Sequence, residues 1–217
     1  MNSSMFGWLL DLIYPPKCPF CGRVLERYED GMCLRCQPIL PWTEGQNEAV
    51  DFCEAAFSPL WYRDGVRDAV HCFKFLRGRT HGDLFGKLMA QCLRDRWNEP
   101  VDLVVWVPLS PKKKRKRGYD QVELLARRVG AELEIPVADA LEKIRETATQ
   151  SSVGRDASRR ANVLGAYEVR KGVSLAGKRI LLVDDVVTSG ATLSECASCL
   201  LMEGAECVTA LTFARAR

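Results

Sequence analysis

Two adjacent carboxylates, Asp184 and Asp185, follow the apolar run Ile180-Leu181-Leu182-Val183 and precede the stretch Thr188-Ser189-Gly190-Ala191-Thr192. The run predicts a buried strand over Ile180 to Val183. Thr192 to Met202 has a helical pattern that stops at Gly204. A strand, a short hydroxyl-rich loop and a helix together make an anion cradle. Gly190 lets the backbone approach closely, and the loop N–H groups and the helix N-terminus face the anion. Thr188, Ser189 and Thr192 add hydroxyl donors. Two carboxylates at the mouth of such a cradle can accept hydrogen bonds from ribose hydroxyls or contact a magnesium ion. A turn with a threonine cap and two solvated acids is the plainer reading, but a cap does not explain the acidic pair.

Four cysteines carry a second chemistry. Cys18-Pro-Phe-Cys21 and Cys33-Leu-Arg-Cys36 are two knuckles separated by 11 residues. Each places two thiolates on one side of a tetrahedral ion, and four thiolates leave no open position for catalysis. The spacing therefore predicts a structural zinc site at Cys18, Cys21, Cys33 and Cys36. A redox dithiol needs one such motif beside a βαβ unit, not two in an irregular segment. Cys196 and Cys199 share the spacing but sit in a helical apolar pattern. They read as packed core, as do Cys53, Cys72, Cys92 and Cys207. Reduced thiols with a metal site fit the cytoplasm.

These groups need a scaffold. Residues 1–50 are irregular and cysteine-rich, and 51–217 alternate helix with strand. The first stretch, through Pro15-Pro16, reads as a short amphipathic helix and not as a signal peptide, because it lacks a basic n-region and a cleavage site. Glu54 to Tyr62 reads as a strand or hairpin. Val66 to Leu76, Asp83 to Trp97 and Gln121 to Leu133 read as helices. Leu103 to Leu109 and Cys207 to Phe213 read as strands. Such alternation predicts an α/β fold with a doubly wound parallel sheet and ligands at the carboxyl ends of its strands. No apolar stretch is long enough to span a membrane.

The net charge of +3 is local. Lys112 to Arg117 supply six consecutive cations, so the remainder is net negative. A solvated, mobile loop is the plain reading of that run; pyrophosphate binding and nucleic-acid backbone binding are the functional ones. His71 and His81, near Lys74 and Arg79, have no ligand-like spacing and read as structural.

The segment around Asp184 and Asp185 resembles the signature of type I phosphoribosyltransferases. Three further segments resemble the ComF family, which includes ComFC- and GntX-type proteins. They are the cysteine knuckles, Val107-Pro108-Leu109-Ser110-Pro111 with Arg117-Gly118-Tyr119-Asp120-Gln121, and Thr149-Gln150 with Arg159-Arg160-Ala161-Asn162-Val163. The resemblance implies a type I phosphoribosyltransferase domain at 51–217 behind a zinc-ribbon-like module at 1–50. It implies that Asp184 and Asp185 hold the ribose hydroxyls of phosphoribosyl pyrophosphate and that Thr188 to Thr192 hold its 5′-phosphate. Pro108, Leu109, Ser110 and Arg117 would face the pyrophosphate with magnesium. Residues 148–162, with Gln150 and Arg159, would form a lid that excludes water from the reacting sugar. Asp120 stands where the family has Asn, so no binding role is carried over to its side chain.

Two classes of function follow from the resemblance. One is transfer of a phosphoribosyl group to an unidentified acceptor with loss of pyrophosphate. The other is an accessory role in natural DNA uptake. There the protein would bind single-stranded DNA, work with DNA-uptake proteins and use the sugar-phosphate pocket for sensing. No aromatic residue interleaves the basic run; Tyr119 lies just beyond it. Binding of the ligand without catalysis is a third possibility, and the acidic pair is compatible with all three.

Overall fold

A computed structural model describes residues 15–45, 49–75, 80–147 and 161–216. The expected N-terminal helix and most of the expected lid, including Gln150 and Arg159, lie outside the described residues.

Among the described residues, eight strands and five α-helices follow in order. They are β1 (Ala55–Phe57), β2 (Leu60–Trp61), α1 (Asp64–Phe73), α2 (Gly82–Arg96), β3 (Leu103–Trp106), α3 (Pro111–Arg117), α4 (Gln121–Leu133), β4 (Val137–Ala138), β5 (Leu141–Lys143), β6 (Tyr167–Val169), β7 (Arg179–Val187), α5 (Ala191–Met202) and β8 (Cys207–Arg215). The main sheet runs β1-β8-β7-β3-β4, with β2 also on β8, and its pairings are parallel. β5 and β6 form a separate antiparallel pair. Glu54 to Tyr62 is thus no hairpin. It is two short strands that follow the same edge of β8, with the Ser58 hydroxyl 2.6 Å from that of Thr212 between them.

Two apolar clusters sandwich the sheet. On one face α1, α2 and α4 bury Val66, Ala69, Val70 and Phe73, then Phe85 and Met89, then Val122, Leu125 and Val129, at helical spacing. Phe85 stacks on Phe213 of β8 at 3.9 Å between ring centroids and is fully buried. Burial of that ring alone contributes roughly 2–3 kcal/mol. On the other face α5 buries Leu193, Cys196, Ala197 and Leu200 against Ile180, Leu182, Val208 and Ala210. Helices on both faces of a parallel sheet make the fold doubly wound.

Lys112 to Arg117 form a helix, not a loop. Ser110 caps it by accepting the Lys113 N–H, Pro111 opens it, and Gly118 ends it in the left-handed conformation. Lys114 to Arg117 occupy its last turn, where cations suit the helix dipole.

Candidate functional site

The register of the sheet brings the predicted segments to one edge. Trp106, the last residue of β3, pairs with Val183, the residue before Asp184. The loop 108–110 and the two acids therefore emerge side by side, at the carboxyl ends of adjacent strands. A cavity of about 520 Å³ opens there. Its wall includes Pro108, Leu109, Ser110, Arg117, Asp184, Asp185, Thr188 and Thr192 from the expected set. Ser189, Gly190 and Ala191 complete the turn behind this wall; Gly190 and Thr188 also border a small adjoining cleft with Asp184.

The strand runs through both acids to Val187, further than the apolar run indicates. Successive strand residues face opposite sides, so the acids part company. Asp185 looks toward α1 and α4. Its Oδ2 accepts from Gln121 Nε2 at 2.9 Å and lies 3.3 Å from Lys74 Nζ. Asp184 looks toward α5 and the β5–β6 pair, and its Oδ1 accepts the Asp185 N–H at 2.7 Å. The environments split the pair. Burial, then the charge of Asp185, raises the Asp184 carboxyl well above the usual range. Burial also pushes Asp185 upward, but Lys74, Gln121 and Arg117 outweigh it and the net displacement is downward.

The cradle has the geometry for an anion. Gly190 holds φ +74° at the start of α5 and, having no side chain, supplies no side-chain cap to its first turn. A side chain at 190 would be strained by that φ, and its Cβ would lie in van der Waals contact with Val50. The buried Ser189 hydroxyl has no hydrogen-bond partner among the described residues.

Sequence reasoning missed several wall residues: Tyr62, His71, Lys74, Gln121, Lys143 and Tyr167. His71, read as structural, is exposed at this cavity, whereas His81 packs beside Phe85. Lys143 on β5 donates to Thr147 Oγ1 at 2.8 Å and Tyr167 OH at 3.1 Å, and lies 4.9 Å over the Tyr167 ring. Burial, then the charge of Lys113, lowers its pKa. Arg117 Nη1 is buried without a hydrogen-bond partner among the described residues. Lys113 and Arg117, four residues apart, share the cavity face of α3, while Lys112, Lys114, Arg115 and Lys116 are exposed.

The segment Arg117 to Gln121 works as a hub. Tyr119 OH donates to the carbonyls of Phe73 and Phe75, fixing the end of α1 from which Lys74 projects. Asp120 caps α4 by accepting the N–H groups of Val122 and Glu123, and its other oxygen accepts the Leu109 N–H at 3.1 Å. The Leu109 N–H is therefore committed to Asp120, and the Ser110 hydroxyl serves as a helix cap. An amide at 120 could not accept through both arms.

A divalent cation at the acidic pair would have to stand beside a positive charge that is already in place. One Asp185 oxygen already carries an ammonium and an amide donor, and Asp184 Oδ1 is turned to a backbone N–H. The cysteines differ. The sulfurs of Cys18, Cys21, Cys33 and Cys36 all lie within 4.8 Å of one another. Tetrahedral zinc with bonds of about 2.3 Å sets its sulfurs about 3.8 Å apart, so the cluster fits that ion. Burial pushes the Cys33 thiol up, but the Cys36 N–H and the neighbouring thiols outweigh it and hold it at about 6. Cys18, Cys33 and Cys36 are buried in the α1–α2 cluster. A side chain at Gly65 of α1 would meet the Phe20 carbonyl oxygen at 2.7 Å, so the cysteine turn seats directly on that helix. Cys92, Cys196 and Cys199 are buried as expected; Cys53, Cys72 and Cys207 are only half-buried.

Residues 115–217 match the model of the phosphoribosyl transferase domain family. The chain is 30% identical over 209 residues to competence protein ComFC of Streptococcus pneumoniae, covering 91% of this chain and 87% of that protein. It is 29% identical over 198 residues to DNA utilization protein YhgH of Escherichia coli K12, covering 88% and 80%. Among solved structures, the allosteric regulatory enzyme of purine biosynthesis aligns with a TM-score of 0.44 at 20% identity, covering 65% of this chain and 29% of that one. With its cysteine cluster, its doubly wound sheet and a ComFC relative matched along nearly the whole length, the chain belongs to the ComF family of proteins with a phosphoribosyltransferase-type domain.

Proposed function

We propose that the cavity binds phosphoribosyl pyrophosphate and that the protein transfers its phosphoribosyl group to an acceptor, releasing pyrophosphate. The observation that carries this reading is the layout of charge. The acids share one cavity with the start of α5, suited to a 5′-phosphate, and with the cations Lys113, Arg117 and Lys143. Among the described residues neither Lys113 nor Lys143 is ion-paired. Asp184 and Asp185 would receive the ribose hydroxyls, Thr188 to Thr192 the 5′-phosphate, and the 108–110 turn with Arg117 the pyrophosphate. Gln150 and Arg159 would also take part in ligand binding; Thr147, Asn162 and Val163, near the two ends of the segment that carries them, line the cavity.

The displacement takes place at C1 of the ribose. The bond from C1 to the pyrophosphate oxygen breaks, its electron pair leaves on that oxygen, and a bond forms from the acceptor atom to C1. Positive charge grows on the sugar as in glycosyl transfer. A carboxylate held beside that charge is more strongly stabilised in the transition state than before it. Magnesium would enter with the pyrophosphate it neutralises. In this reading the zinc module at 1–50 supports a transferase domain at 51–217 in the cytoplasm. Titration calorimetry with phosphoribosyl pyrophosphate and magnesium tests it. Wild type should bind, and Asp184→Ala/Asp185→Ala should not; no binding by folded, zinc-loaded wild type would sink the reading.

A second reading draws on the names of the relatives, a competence protein and a DNA utilization protein. The exposed face of α3 presents four cations to solvent, which suits single-stranded DNA phosphates in an accessory role in DNA uptake.

A further inference from the structure

Among the described residues, Lys74 is the one ammonium in contact with the acidic pair. Its Nζ lies 3.3 Å from Asp185 Oδ2, the same oxygen that accepts from Gln121 at 2.9 Å. Nothing about this contact is loose. Tyr119 grips the carbonyls on either side of Lys74, at Phe73 and Phe75. The Lys74 side chain is 26% exposed and that of Asp185 is 11% exposed, so solvent screens the pair little. The charge of Asp185, then that of Asp184, raises the Lys74 pKa, so the ammonium stays charged at neutral pH. Gln121 Oε1, on the wall of the same cavity, is buried without a partner among the described residues, an acceptor left for a ligand hydroxyl.

A divalent cation ligated by a diacid needs carboxylate oxygens with free lone pairs at about 2.0–2.1 Å. At Asp185 one oxygen is already taken by Lys74 and Gln121, and an ion on the other would stand close to the fixed ammonium. We propose that Lys74 is the resident cation of this site: its ammonium takes, beside Asp185, the place of a protein-bound divalent ion and is the positive charge that the anionic ligand meets there. Its ligand arm rests on the phosphoribosyl pyrophosphate reading. The consequence is a site that ligates no metal through its acids. Any magnesium arrives on the ligand, and Lys74 acts as a positioning residue that keeps Asp185 ionised and oriented.

The experiment uses zinc-loaded full-length protein and manganese, whose free aquo ion is read by electron paramagnetic resonance. Wild type should leave the manganese signal unchanged apart from non-specific loss. Lys74→Met should gain one bound ion per chain, and Lys74→Met/Asp185→Asn should lose it again. Lys74→Arg, which keeps the charge, should resemble wild type. A wild-type protein that already binds manganese in an Asp185-dependent way overturns the proposal, and so does a folded Lys74→Met protein that gains none. Calorimetry supplies the second arm. Lys74→Met should bind phosphoribosyl pyrophosphate at least ~10-fold more weakly than wild type at low magnesium, with the deficit shrinking as magnesium rises, because an added cation replaces the lost ammonium. A deficit independent of magnesium overturns the proposal. If wild type binds no phosphoribosyl pyrophosphate while the manganese pattern holds, the transferase reading falls and the assignment of Lys74 stands.

Discussion

The carboxylate of Asp120 accepts the backbone N–H of Leu109 at 3.1 Å, and this bond ties the start of α4 to the turn that follows β3. One side chain thereby serves two elements that meet at the cavity. Its other oxygen caps α4 through Val122 and Glu123, and three N–H donors offset most of the cost of its burial. Burial still comes out ahead, and the carboxyl is raised above its usual value.

Asp120→Asn should therefore loosen the turn without dissolving the helix. The amide keeps one acceptor and sets an N–H group against another donor. The expected loss is roughly 1–2 kcal/mol, and exchange of the Leu109 amide in hydrogen-exchange NMR should speed up about 5-fold or more. Unchanged protection of Leu109 would show that the turn is held by something else.

Much of this site is written locally in the chain, and part of it is not. The acids, the 188–192 loop and the cysteine knuckles are contiguous, and each segment carries its own chemistry, so spacing alone identifies them. Gln121 opens its helix where the periodicity puts it, because Asp120 is a cap residue by type. The helix at Lys112 to Arg117 also had its signals, Ser110-Pro111 before and Gly118 after, but the charge run obscured them. Lys74 and Lys143 are different. Each is a single lysine whose position depends on contacts with residues far along the chain, Lys74 with Asp185 and Lys143 with Tyr167. Strands β4, β5 and β6 are two or three residues long, too short for a period to register.

The two acids should respond oppositely to neutralisation. Asp184 has a folded-state pKa above its unfolded one, so it disfavours the ionised folded protein increasingly as pH rises through the carboxylate range. Asp184→Asn should stabilise the ligand-free protein at pH 7 and lose that advantage as pH falls toward 4. Asp185 has a lowered pKa, so its contribution is present above the unfolded value and is lost as pH falls through the folded one. Asp185→Asn also strands Lys74 and should cost about 1–3 kcal/mol at pH 7, allowing for the partial exposure of Lys74. Urea unfolding at pH 7 and pH 4 measures both, and equal signs for the two variants would contradict the assigned environments.

The cysteine cluster should behave as one metal site that also holds the fold. Cys33→Ser removes a ligand that is both buried and in thiolate form near neutral pH. Zinc content should fall from one per chain to near zero. The melting temperature should drop as well, because Cys18, Cys33, Cys36 and Phe20 pack into the cluster under α1 and α2. Cys92→Ala, in the same cluster but outside the tetrad, should keep its zinc while losing some stability. Zinc that survives in Cys33→Ser would place the metal elsewhere.

The two faces of α3 separate the two functional readings. Lys113 and Arg117 turn to the cavity, whereas Lys112, Arg115 and Lys116 point to solvent. Lys112→Ala/Arg115→Ala/Lys116→Ala should leave the affinity for phosphoribosyl pyrophosphate within about 2-fold, because these side chains are exposed, do not line the cavity and are screened by salt. If DNA phosphates lie on this face, the same triple variant should bind single-stranded DNA more weakly. Its plot of log affinity against log salt should be shallower by roughly 0.7 per lost contact. Arg117→Met should do the reverse, weakening the small ligand and sparing DNA. It removes a guanidinium with a buried, unpartnered Nη1 from the wall beside Asp185. A triple variant with unaltered DNA affinity and salt slope would remove α3 from the DNA reading and leave it as a wall of the sugar-phosphate site.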